Sequence, residues 1–162
     1  MTISTSSLVH LVVEEVWNQG DLELADALFT DNYVNHGGLI PDLIRGPEAI
    51  KLSVALYRRA FPDFHIAVDE VTTEHGATVI RWVAHSKPPL IGPADRTGGL
   101  RGITRWRLQQ GKIAESWIVW DNRAFLVRLG AAEPKLARDR LNEVASRESR
   151  GIATSKRDMD LP

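Results

Sequence analysis

Apolar residues along this chain change spacing once. Up to Phe61 they recur at helical intervals, and from Phe64 to Trp120 they alternate with polar ones. Ser6 or Ser7 can cap a first helix whose inner positions are Leu8, Val12, Val13, Val16 and Trp17, with Gly20 closing it. Asp21 caps a second, shorter helix with Leu24, Ala25, Leu28 and Phe29 inside. Tyr33-Val34-Asn35-His36-Gly37-Gly38 reads as a loop or short strand. Gly46-Pro47-Glu48 opens a third helix, since proline suits the first helical position and an acid suits the positive end of the helix dipole. Its stripe is Ile50, Val54, Tyr57 and Phe61, and Pro62 ends it.

Two hairpins follow. Phe64–Val68 and Thr78–His85 flank a turn at Glu74-His75-Gly76-Ala77, and Leu100–Leu108 and Ile113–Trp120 flank one at Gln109-Gln110-Gly111-Lys112. Lys87 to Gly99, rich in proline and glycine, is a loop. If Gln109 pairs with Lys112, Trp106 faces Glu115, Thr104 faces Trp117, and Leu100 lies near Asp121. A single bulge would exchange Trp106 for Arg105. The other face would then carry Ile103, Arg105, Ile118 and Trp120, too apolar for open water, so a second subunit is expected to cover it.

Helices followed by hairpins predict an α+β fold, with N-terminal helices packed on one face of a curved antiparallel sheet. The division expected is a flexible N-terminus over 1–7, one domain over 8–130, and a charged C-terminal helix with a disordered tail over 131–162.

Bulk numbers narrow the function. The 162 residues fit one domain, and 43% hydrophobic with 25% charged residues is ordinary for a soluble globular protein. A formal net charge of -1 provides no broad positive field for nucleic acid or an anionic membrane, so a small, neutral partner is the better expectation. With no cysteine there are neither disulfides nor thiolate metal sites. Met1 to Ser7 lacks the basic segment of a secretory leader, and a cytoplasmic location is expected.

The candidate chemistry gathers at Gly111–Asp121. Strand alternation puts Ile113, Glu115, Trp117, Val119 and Asp121 on one side. If that side is a pocket wall, desolvation raises the Asp121 pKa and suits it to proton transfer near neutral pH. Equally, Asp121 can cap a helix over Asn122–Gly130. Trp82, Trp106 and Trp117 would provide flat apolar walls, or simple core. His85, at a strand end, reaches either the pocket mouth or solvent. His10, His65 and His75 have no second ligand at metal-binding spacing, and no metal is expected.

Trp17-Asn18-Gln19-Gly20-Asp21, Tyr33-Val34-Asn35-His36, Gly46-Pro47-Glu48, Ala60-Phe61-Pro62-Asp63 and Gly111-Lys112-Ile113-Ala114-Glu115-Ser116-Trp117 with Asp121 occur in this order. Together they resemble the SnoaL-like polyketide cyclase family, from about Leu8 to Gly130. The resemblance implies a cone-shaped α+β barrel of the nuclear transport factor two type, shared with ketosteroid isomerases. It also implies a deep apolar pocket for a small apolar or aromatic substrate, a homodimer or larger assembly, and chemistry without a cofactor. In cyclases of the family a carboxylate at the position of Asp121 is the general acid/base for an intramolecular aldol closure. His36 matches a histidine common in the family and is the second catalytic candidate, a hydrogen-bond partner of substrate or of Asp121, or else a structural residue of the glycine loop. Tyr33, Trp82, His85, Arg105, Trp106 and Trp117 are the substrate-binding candidates. Arg105 departs from the family, which commonly has an apolar residue there; it would anchor an anionic or carbonyl group, or pair with an acid at a subunit contact. The loop Ile91–Gly99 also departs, by a shorter route.

The functional expectation is a cofactor-independent cyclase, or an allied lyase or isomerase, acting by proton transfer on a polycyclic ketone. A non-catalytic small-molecule binding module of the same fold is the alternative. An epoxide hydrolase ranks below both, because no Asp-x-Arg or Arg-x-Asp pair stands in Thr78–His85 or Leu100–Leu108.

Overall fold

The computed structural model describes residues 3–37, 44–87 and 99–121. Helix α1, Thr5–His10, begins earlier than Ser6 or Ser7 would place it, because the Ser4 hydroxyl accepts the Ser7 N–H and caps the first turn. It runs directly into a π-helical stretch, Leu11–Asn18, in which the Gln19 N–H reaches back five residues to the Glu14 carbonyl. Helix α2 is short, Ala25–Leu28, preceded by a turn in which Asp21 accepts the Leu24 N–H. Helix α3 is Pro47–Ala60.

The strands are β1, Phe29–His36; β2, His65–Glu74; β3, Ala77–His85; β4, Gly99–Gln109; and β5, Lys112–Val119. They form one five-stranded sheet in the order β1-β5-β4-β3-β2. The α+β class with helices on one face is as expected, and the sheet differs in two respects. It is mixed, because β1 lies parallel to β5, with Asn35 beside Ser116 and His36 beside Trp117. It is also open among the described residues, with β1 and β2 as unpaired edges.

Both hairpins turn where expected. His75-Gly76 and Gln110-Gly111 each have two consecutive positive φ values, the geometry of a two-residue turn matched to strand twist. Gln109 pairs with Lys112. The register beyond that point is not the unbulged one. Leu108 pairs with Ile113 but Arg107 with Glu115, so Ala114 is an extra residue and every later pair moves by one. Arg105 therefore faces Trp117, Trp106 faces Ser116, and Thr104 faces Ile118.

Side chains are sorted accordingly. Ile80, Trp82, Leu100, Thr104, Trp106, Ser116 and Ile118 face the helices, where they meet Val12, Val13, Trp17, Ile50 and Tyr57. The outer face carries Arg101, Ile103, Arg105, Arg107, Glu115, Trp117 and Val119. Ile118 and Trp120 are thus not on the outer face, which is more charged than the unbulged register implied.

Several of the ordered sequence motifs act as fasteners. The Asn18 side chain donates to the Ile66 carbonyl at 2.9 Å and accepts the Ile66 N–H at 2.8 Å, so its amide stands in for a neighbouring strand and ties the end of the π-helical stretch to β2. Arg58 of α3 donates to the Trp17 and Asn18 carbonyls, satisfying a helix end. Gly46, at φ 75°, leaves no room for a Cβ, which would lie 2.5 Å from the Asp31 carbonyl oxygen. Asp63 accepts the Ser86 hydroxyl and the Lys87 N–H, with the Lys87 bond first among the causes holding its carboxyl below the usual range. The region 131–162, the helix expected over 122–130 and most of the Lys87–Gly99 loop lie outside the described residues.

Candidate functional site

Between the helices and the inner face of the sheet lies a mainly apolar cavity of about 80 Å³, counted to the centres of water-sized molecules. One water needs only about 10–15 Å³ on that measure. Among the described residues eight aromatic ones line it: Trp17, Phe29, Tyr33, Tyr57, Phe64, Trp82, Trp106 and Trp120. Tyr57 meets the rings of Trp17, Phe64 and Trp120 at centroid distances of 5.6, 5.3 and 5.4 Å.

The polar groups in this apolar shell are few. Tyr33 donates its hydroxyl to Ser116 Oγ at 3.0 Å, and burial, partly opposed by that bond, pushes the Tyr33 pKa well above its ordinary value. Tyr33 therefore stays a neutral donor. Trp82 Nε1–H donates to Thr104 Oγ1 at 2.8 Å. Ser116 and Thr104 each accept one bond and retain a hydroxyl proton to donate. Asn35 is 6% exposed and its Oδ1 is buried without a hydrogen-bond partner. An unpaired buried acceptor costs about 1–3 kcal/mol.

Asn35 was not singled out from the sequence. With Tyr33-Val34-Asn35-His36 read as a strand, alternation would have put it on Tyr33's face, as a polar group on a buried side. The signal was there, but a segment ending in two glycines reads as loop.

A second, wider and shallower concavity is lined by Asp69, Glu70, Arg81, Arg101, Gly102, Ile103, Val119 and Asp121, together with Trp82 and Trp120. Those two tryptophans are the lining residues it shares with the apolar cavity. Asp121 thus belongs to the charged concavity, next in sequence to the cavity-lining Trp120.

The site candidates divide by face. Tyr33, Trp82 and Trp106 line the cavity. Trp117, His36 and Arg105 do not: the bulge at Ala114 turns Trp117 outward, where the His36 ring stacks on it at 5.1 Å and the Arg105 guanidinium lies 5.4 Å from its centre. His36 Nε2 lies 3.9 Å from Glu115 Oε1, on the outer face. His85 is exposed at the end of β3. Asp121 and Trp117 do not share the cavity wall that the unbulged register would give them. Among the described residues no three His, Asp or Glu side chains are grouped to hold a metal ion, and no helix is long and apolar enough to cross a membrane.

A family model for SnoaL-like polyketide cyclase matches residues 7–129, well over half of the chain. The chain belongs to the SnoaL-like polyketide cyclase family. The SnoaL-like domain is similar in structure to IdmH from Streptomyces antibioticus, described as a candidate polyketide cyclase. The two share 23% identity over 77% of this chain and 97% of that one, with a TM-score of 0.58. It is also similar to AclR from Streptomyces galilaeus, described as a candidate hydroxylase, at 22% identity over 80% and 99% of the two chains and a TM-score of 0.54. An NTF2-like protein from Cytophaga hutchinsonii aligns at 15% identity over 76% and 95%, with a TM-score of 0.55. These likenesses establish the NTF2-like fold. No functionally curated protein matches the chain significantly.

Proposed function

We propose that this SnoaL-like protein binds a small aromatic polyketide-like ketone in the apolar cavity and acts on it as a cofactor-independent acid–base enzyme. The reaction is an intramolecular aldol closure or a related proton transfer. The observation that carries the reading is the aromatic-lined cavity with Asn35 Oδ1 left unpaired inside it. Flat walls suit fused or incipient rings, and the orphan acceptor suits a ligand hydroxyl or enol.

In the proposed reaction Asp121 takes a proton alpha to a carbonyl at the rim between cavity and concavity, which Trp82 and Trp120 both line. The hydroxyl of Ser116 or Thr104 donates to the oxygen that becomes an enolate. The nucleophilic carbon then bonds to the receiving carbonyl carbon, and the Asp121 carboxyl returns its proton to that oxygen. His36, on the outer face, is given no part in the transfer.

Incubation with poly-β-ketone aromatic precursors, followed by mass spectrometry and chiral chromatography, tests this. Wild-type protein is expected to accelerate ring closure, and Asp121→Asn to lose about 10²–10⁴ of the rate while still binding product. Binding without turnover in both proteins would replace the enzyme with the second reading, a small-molecule binding module. That reading draws on one observation, that Asp121 lines the concavity and not the cavity.

A second copy of the chain is proposed to cover the outer face, where Ile103 and Val119 are exposed beside Trp117. Sedimentation of wild type and Val119→Glu tests it. A dimer converted to monomer is expected, and a wild-type monomer would overturn it.

A further inference from the structure

We propose that Trp82 and Gly102 together gauge the length of ligand that the cavity accepts, Gly102 acting as the specificity-determining residue. The proposal rests on the cavity being the ligand site.

Trp82 and Gly102 are direct partners across β3 and β4, so they present the same face, the one that looks into the cavity. The indole does not stand up from the sheet but lies across the bare backbone of Gly102. A Cβ built on Gly102 would fall 2.1 Å from Trp82 Cζ2 and 2.4 Å from Cη2, far inside contact distance. The same edge of the indole, where Cε2 joins the ring nitrogen, is held by the N–H bond to Thr104 Oγ1, one inward position along β4. Three features therefore lay the ring flat: a missing side chain, a hydrogen bond and the strand register.

This posture has a consequence for the cavity. Trp82 is one of the two residues common to the apolar cavity and the concavity that carries Asp121. Lying on Gly102, the ring forms part of the partition between them. Any side chain at position 102 points to the cavity face and must push the ring off the sheet into the space a ligand would fill. A cavity end set by an indole also cannot be deepened without removing that indole. The pair thus fixes how far a fused-ring ligand extends before it meets the rim beside Asp121.

The test is calorimetric binding of three planar probes of increasing length, phenol, a naphthol and an anthrol. The proteins are wild type, Gly102→Ala, Trp82→Ala and the double variant. In Gly102→Ala the longest probe that wild type binds is expected to lose about tenfold or more in affinity, about 1.4 kcal/mol, with the shortest little changed. In Trp82→Ala the length limit is relaxed, and Gly102→Ala added to it changes nothing, because the clash has lost its partner. Hydrogen exchange of the Trp82 indole N–H in Gly102→Ala gives a readout without ligand; faster exchange is expected as the Thr104 bond is lost. A length-independent loss, or the same Gly102→Ala effect with and without Trp82, would overturn the gauge and leave the cavity reading standing. Failure of wild type to bind any of the three probes would instead overturn the cavity reading, and the gauge with it. Should Gly102→Ala not fold, recovery of folding in the double variant supports the clash, and failure of both overturns it.

Discussion

The guanidinium of Arg105 lies over the indole of Trp117, 5.4 Å from the ring centre, on the face of the sheet turned away from the helices. The ring is also stacked by His36, whose centre is 5.1 Å away and whose plane is nearly parallel to it. This stack is a surface feature. Its neighbour in the ladder, Trp106, is 4% exposed and lines the cavity.

Two tryptophans one pair apart should therefore differ sharply on truncation. Trp106→Ala is expected to cost about 3–5 kcal/mol and to abolish probe binding, since it empties core volume. Trp117→Ala should cost about 1–2 kcal/mol, mostly a lost cross-strand contact, with binding retained. Urea unfolding with calorimetry checks both. Similar costs for the pair would mean that the register is wrong.

Asn35 gives the opposite pattern, little effect on stability and a large one on binding. Its Oδ1 is buried and unpaired, so Asn35→Leu relieves a desolvated acceptor and is expected to leave stability unchanged or raise it by about 1 kcal/mol. Affinity for a naphthol should fall about tenfold, and affinity for naphthalene should not. Equal losses for both probes would show that Asn35 contributes shape and not an acceptor.

Asn18 is a fastener, and its loss should be felt in stability alone. Asn18→Ala removes both bonds to Ile66 and is expected to cost about 2 kcal/mol, exposing one donor and one acceptor of β2. Thermal unfolding measures the cost, and hydrogen exchange at Ile66 should rise ahead of that at Ile80.

The pH dependence has a definite sign. The Arg107 bond to Glu115, 2.9 Å long, is the first cause holding the Glu115 carboxyl below its ordinary 4.5, with burial opposing and the Arg107 charge adding. A lowered folded-state pKa means that the unfolded chain takes up the proton first as pH falls. The contribution is therefore complete above about 4.5 and is lost as pH drops through the folded value. Arg107 is half exposed, so its size is below about 1 kcal/mol. Melting of wild type and Arg107→Ala at pH 7 and near pH 3 should show the difference between them shrinking at acid pH. A constant difference would mean that the bond contributes nothing through its charge.

Much of the architecture was readable locally. Helical spacing located α1 and α3, and Gly76 and Gly111 marked both hairpin turns, because a turn with two positive φ values needs glycine or a tolerant residue. Strand β2 reads short in the sequence, since Asp69 to Val71 and Thr73 are exposed and only pairing with β3 makes them a strand. Three of the candidate ligand contacts, Tyr33, Trp82 and Trp106, lie in the cavity. Asn35 was legible only to a reader who took Tyr33–His36 as a strand.

The amino-acid sequence by itself determined most of the helices and strands, though not the full extent of β1 or β2, where the two hairpins turn, and which family the motifs describe. Each of those depends on residues a few positions apart. Tertiary structure alone decided that β1 runs parallel beside β5, that the sheet is open among the described residues, and which face each tryptophan takes there. Side chains alternate with a period of two, so the single extra residue at Ala114 reverses every side chain beyond it, and nothing within the strand itself announces that slip. It placed Trp117 outside with His36 and Arg105, and it left the cavity to Trp106, Ser116 and the unpaired oxygen of Asn35.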